Sequence, residues 1–148
     1  MVLTLLTRLD HVGIACRDLD RAVALYQATF GLEVASLEVN EEQGVREAML
    51  RVGASALPVA GLRPGYVQLL EPLSPDTPVG KFLARRGEGL HHVGYGVSDI
   101  GQALAAVAGT GVRLVDERPR HGSMGASIAF LHPADLGGVL TELVQSLA

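Results

Sequence analysis

The chain has one cysteine, Cys16, no tryptophan, and only three tyrosines and three phenylalanines. A single cysteine excludes an intramolecular disulfide and any multi-cysteine zinc or iron–sulfur centre. A buried, unreactive thiol is the expected state of Cys16. Lysine is equally scarce, Lys81 being the only one, and 12 Lys and Arg stand against 16 Asp and Glu for a net charge of −4. A protein that neutralises many phosphates needs a basic face, so nucleic acid is not an expected partner. No apolar run approaches the ~20 residues of a membrane span. The apolar start, Met1 to Leu9, is short and carries Arg8 where a signal peptide would have its apolar core. The expectation is a cytoplasmic protein with no membrane partner. What the 148 residues do have is hydrophobic side chains, 48% against 19% charged, which suits one packed domain and rules out disorder.

The chain is written twice. Leu9-Asp10-His11-Val12-Gly13-Ile14-Ala15 returns 81 residues later as Leu90-His91-His92-Val93-Gly94-Tyr95-Gly96, and Asp18 returns as Asp99. After each Asp, apolar residues follow helical spacing, at Leu19, Ala22, Val23 and Tyr26 and again at Ile100, Ala103, Leu104 and Val107. Asp18 and Asp99 are suited to cap these helices, with Gly31 and Gly111 as stop signals. Gly44 to Leu50 aligns with Gly125 to Leu131 at the same offset, and Tyr66–Leu70 with Leu140–Val144 at an offset of 74. Each half thus predicts a strand, a helix and three strands. The expected fold class is α+β: two tandem βαβββ modules, about 7–75 and 88–146, forming a curled sheet around a shared cleft. Thr77 as cap, Pro78 at the first helical position and Gly87 past the end predict a connecting helix over about 77–87.

The repeat pairs polar residues on otherwise apolar strands. His11 shares a strand face with Gly13 and Ala15, and His92 shares one with Gly94 and Gly96, so small neighbours leave room before each imidazole. Gln68 and Glu142 take equivalent places on the closing strands. Two imidazoles, an amide oxygen and a carboxylate could hold a divalent metal. Taken singly, each is as readily a core residue bonded to backbone; pairing by an internal repeat favours the metal.

Together, LDHVGIA (9–15), GVREAML (44–50), YVQLLEP (66–72), GLHHVGYGVSDI (89–100), FLHP (130–133) and GVLTELVQ (138–145) resemble the vicinal oxygen chelate (glyoxalase-like) superfamily. Within it they resemble the methylmalonyl-CoA epimerase family. That resemblance implies metal ligands at His11, Gln68, His92 and Glu142, and one divalent ion per chain: Co2+ first, with Mn2+, Ni2+ or Zn2+ as alternatives. It implies a CoA thioester substrate, a homodimer, and epimerisation by 1,1-proton transfer through a metal-stabilised enolate. Glu47 and Glu142 are the implied acid/base pair. The alternative for Glu47 is an ion pair with Arg46 or Arg51. His91, one residue from His92, should face the other way as a partly exposed structural residue.

Gly122, Ser123, Met124 and Gly125 form a glycine-rich turn that could wrap the substrate carboxylate with backbone amides. Lys81, Arg85, Arg86, Arg118 and Arg120 are candidates for the CoA phosphates, with solvated surface charge as the equal alternative. His132, before Pro133, reads as a structural strand-end residue. The rival functions are a glyoxalase I-type lactoylglutathione lyase, an extradiol dioxygenase, disfavoured because it needs two His and a carboxylate in one module, and a metal-free small-molecule binding protein.

Overall fold

The chain is described by a computed structural model covering residues 4–53 and 63–147. The first three residues of the apolar N-terminal stretch lie outside this description. The elements run β1 (Leu6–Ala15), α1 (Leu19–Phe30), β2 (Glu33–Asn40), β3 (Val45–Val52), β4 (Gly65–Pro72), α2 (Pro78–Arg86), β5 (Gly89–Val97), α3 (Ile100–Gly109), β6 (Arg120–His121), β7 (Ser127–Leu131) and β8 (Thr141–Gln145). No helix among the described residues is long and apolar enough to cross a membrane.

The three helices begin where the sequence places them. The Asp18 carboxylate accepts the Arg21 amide at 3.0 Å, and Asp99 accepts the Gln102 amide at 2.9 Å. Each satisfies one orphan amide of a first turn. Thr77 Oγ1 does the same for Gly80 ahead of Pro78. Gly31 closes α1 in the left-handed region at φ 68°, where a Cβ would be strained. α3 ends one residue earlier than expected, with Thr110 as its cap and Gly111 at φ 94° beyond it.

The chain forms two compact units, one of His11–His91 and one of Met1–Asp10 with His92–Ala148. The division falls inside β1 and β5, each of which passes from one unit to the other, rather than between the repeated modules. In the His11–His91 unit the strand order is β2-β3-β4-β1, antiparallel except for the parallel pair β4 and β1. One face of this unit's sheet packs on α1 through Cys16, Leu19, Ala48, Leu50 and Leu69. The other face packs on α2 through Val45, Leu70, Val79 and Leu83.

In the second unit the order is β5-β8-β7-β6, with β5 and β8 parallel. α3 covers one face through Ile100, Ala103, Leu104, Ala129, Leu131 and Leu143. Ala126, Ile128, Phe130 and Val144 form a separate apolar group on the opposite face. The repeat is imperfect here. The counterpart of the eight-residue β2 shrinks to one bridge, Leu114 to Leu131, and the two-residue β6. The ladder breaks at Val115 and Asp116, whose amides both donate to the Phe130 carbonyl while the Asp116 carboxylate accepts the Phe130 amide.

A cross-strand device recurs in both units. Glu71, at the end of β4, accepts the Leu19 amide at 2.6 Å, and Gln145, at the end of β8, accepts the Ile100 amide at 2.9 Å. Each closing strand therefore caps the helix of its own module.

Candidate metal and catalytic site

The two units build their polar residues by one rule. On β1, His11 is followed two residues later by Gly13, whose partner across the parallel pair is Gln68 on β4. On β5, His92 is followed by Gly94, whose partner is Glu142 on β8. On the far side of each closing strand the register partner of Gln68 is Met49 and that of Glu142 is Phe130. Met49 and Phe130 are themselves related by the 81-residue repeat. The side chains of His11, Glu47, Gln68, His92 and Glu142 are all buried, between 2% and 6% exposed. Charged and amide groups are rarely buried to this degree without a partner.

In the His11–His91 unit, Gln68 Nε2 donates to Glu47 Oε2 at 3.1 Å. The amide nitrogen turns toward the carboxylate, so the amide oxygen is the atom presented on the other side. Glu47 and Gln68 lie on one face because Met49, two residues from Glu47, is directly opposite Gln68. The two arginines considered as partners for Glu47 go elsewhere. Arg46 reaches Asp20 at 2.7 Å, and Arg51 reaches Glu33 at 3.1 Å.

In the second unit, His92 Nε2 lies 4.0 Å from Glu142 Oε1. That is too long for a hydrogen bond, yet short enough for both atoms to reach one cation at about 2.0–2.2 Å. Phe130 presents its ring to the His92 imidazole edge-on, with centroids 5.4 Å apart and planes at 85°. Its backbone amide donates to Asp116 Oδ2 at 2.9 Å. Sequence reasoning missed Phe130, although its repeat relation to Met49 was a signal that could have found it.

His91 packs its ring against Phe82 at 5.0 Å rather than joining His92, and it is half-buried. Burial pushes its pKa down to about 4, so the imidazole is neutral at neutral pH. Cys16 is buried, and its thiol donates to the Leu70 carbonyl at 3.5 Å. Burial, followed by the negative charges of Glu71, Glu88 and Asp18, pushes its pKa up to about 12. His132 accepts the Ala134 amide at 3.3 Å and so caps the short turn after β7, a structural role.

The candidate substrate contacts are placed less uniformly. Lys81, Arg85 and Arg86 are exposed on α2, and Arg86 lies over the Phe82 ring at 5.9 Å. Arg118 is exposed, whereas Arg120 turns to Asp116, with Nε 3.0 Å from Oδ1. Gly122 to Gly125 form a tight turn in which Met124 adopts φ 57°, a conformation costly for a residue with a Cβ. Within that turn the Gly122 amide donates to the Ala126 carbonyl and the Ala126 amide to the Ser123 carbonyl. Those two amides are spent on the turn itself.

Comparison with known proteins places the chain in a family. The family model for the Glyoxalase/Bleomycin resistance protein/Dioxygenase superfamily matches residues 10–130. A mitochondrial methylmalonyl-CoA epimerase from Bos taurus is 34% identical over 95% of this chain and 75% of its own length. An ethylmalonyl-CoA/methylmalonyl-CoA epimerase from Cereibacter sphaeroides is 34% identical over 93% of this chain and 97% of its own. A solved methylmalonyl-CoA epimerase in complex with methylmalonyl-CoA and an ammonium ion is 53% identical, covers 97% of this chain and 96% of its own, and superposes with a TM-score of 0.90. The chain belongs to the Glyoxalase/Bleomycin resistance protein/Dioxygenase superfamily and, within it, to the methylmalonyl-CoA epimerase family of enzymes.

Proposed function

We propose that this chain interconverts the (R) and (S) forms of methylmalonyl-CoA by moving one proton, with the help of one divalent metal ion held by His11, Gln68, His92 and Glu142. The observation that carries this reading is the repeated register, Gly13 opposite Gln68 and Gly94 opposite Glu142, with a buried imidazole two residues before each glycine. Family membership supplies the substrate. His11, His92 and Glu142 are buried residues of the types that could hold a metal ion, and Gln68 adds an amide oxygen. Nitrogen and oxygen donors without sulfur suit cobalt, manganese, nickel or zinc, with cobalt proposed first.

The α-carbon of the substrate lies between a thioester and a carboxylate, so its proton leaves only if the resulting enolate is stabilised. A divalent cation supplies positive charge for that oxyanion when bound. Three neutral ligands and one carboxylate leave half of that charge uncancelled. Glu47 removes the proton from one face, its carboxylate oriented by the Gln68 amide at 3.1 Å. Glu142, once it has taken a proton from solvent, returns it on the other face, and Glu47 releases the proton it removed to solvent. As a ligand Glu142 is the weaker base, which makes Glu47 the principal one. Gly122, Ser123, Met124 and Gly125 are proposed to border the substrate carboxylate, and Lys81 with Arg120 to meet the CoA moiety. A homodimer and a cytoplasmic location belong to the same proposal; the exposed apolar side chains Leu37 and Val39 on β2 support a protein partner there.

Deuterium incorporation from heavy water into methylmalonyl-CoA tests the reading. The native protein should exchange the α-proton, while Glu47→Gln and Glu142→Gln should each fall by at least 10²-fold. Exchange at the native rate by both variants would refute the acid/base assignment.

A further inference from the structure

We propose that Ile128 sets the size of the α-substituent that this enzyme accepts, by bounding the space beside Glu142. This rests on the epimerase reading above and extends it to specificity.

Ile128 is the repeat counterpart of Glu47. On β7 its register partner is Val144, while Phe130, two residues on, is the partner of Glu142. Ile128, Phe130, Glu142 and Val144 therefore share one face of the sheet, and Ile128 lies diagonally across from Glu142. The same diagonal in the other unit, from Glu47 to Gln68, is spanned by a contact of 3.1 Å. Position 128 thus stands on the same face and diagonal to Glu142 as position 47 does to Gln68.

What stands there is a branched aliphatic group, only 3% exposed, grouped with Ala126, Phe130 and Val144. The turn before β7 is pressed directly onto it. A Cβ added at Gly122 would lie 2.6 Å from Ile128 Cγ2, so only glycine lets the backbone come this close. Position 128 is therefore held between the Gly122 backbone and the ligand-bearing face. The α-carbon of the substrate carries two acyl groups, a hydrogen and one small alkyl group. Methyl groups of an isoleucine offer that alkyl group an apolar wall of fixed depth, where the other module places a base.

Shortening the wall should relax the limit on size. A single methylene fitted or refused by an apolar pocket changes kcat/KM by about 10–200-fold. Ile128→Ala should raise kcat/KM for ethylmalonyl-CoA relative to methylmalonyl-CoA by about 10-fold or more, with Ile128→Val intermediate. The measurement is α-proton exchange on both substrates with native protein and both variants, alongside thermal unfolding to establish folding. If Ile128→Ala does not fold, the valine variant alone must shift the ratio in the same direction. A ratio unchanged within about twofold in folded variants overturns the assignment of Ile128 while leaving the epimerase reading intact. No exchange by native protein on either substrate overturns both.

Discussion

The amide of Gln68 and the carboxylate of Glu47, on adjacent strands β4 and β3, meet at 3.1 Å in a buried setting. One side chain thereby links the two chemical roles proposed for this face, its nitrogen to the base and its oxygen to the metal. Gln68→Ala should weaken metal binding and slow proton exchange together, by about 10–100-fold each. Gln68→Glu, which keeps an oxygen donor but sets a second carboxylate against Glu47, should retain metal while exchange still falls. Metal titration by calorimetry beside exchange rates separates the two effects.

Phe130 gives a second prediction, because its ring edge meets the His92 imidazole at 5.4 Å. Phe130→Ala should cost about 3–5 kcal/mol of stability by opening a cavity. Phe130→Leu should cost less, yet it should still loosen His92 and reduce metal affinity. Urea denaturation and metal titration of both variants check this; unchanged metal affinity in a folded Phe130→Leu protein would exclude an orienting role.

The paired helix caps are testable by symmetry. Glu71→Ala and Gln145→Ala should each destabilise the fold by about 1 kcal/mol, since each leaves a first-turn amide without its strand partner. Urea midpoints provide the comparison, with the m value expected to stay constant.

Cys16 fixes the sign of an alkaline effect. Its pKa rises from 9.0 to about 12 on folding, so between those values the native state keeps a proton that the unfolded chain has released. Its contribution is fully present below pH 9 and is lost as pH rises toward 12. Cys16→Ala should flatten this part of the stability profile. At pH 8 the native thiol should resist an aromatic disulfide reagent and react only as the chain unfolds.

Much of this architecture was legible in the sequence because the chain carries it twice. Asp18 and Asp99, Thr77-Pro78 and the apolar helix stripes depend on local chemistry alone, and they form the expected elements. The equivalence of Gln68 and Glu142 followed from the repeat, and the matched glycine registers agree with it. Features set by departures from the repeat were harder to read. The lost counterpart of β2 depends on the irregularity at Val115 and Asp116, and the engagement of Arg120 with Asp116 depends on how the chain turns after that break. Phe130 stood in the sequence as the repeat counterpart of Met49, but an edge-on ring contact leaves no polar signature that would tie it to His92.

The central claim is that the imidazoles at 11 and 92, which belong to different units, serve one ion. Titration of metal-stripped protein with cobalt, for native chain, His11→Ala and His92→Ala, tests it most directly. The account predicts one ion per native chain and a drop in affinity of at least 10-fold in each variant separately. Full-affinity binding that survives the loss of either histidine would contradict it.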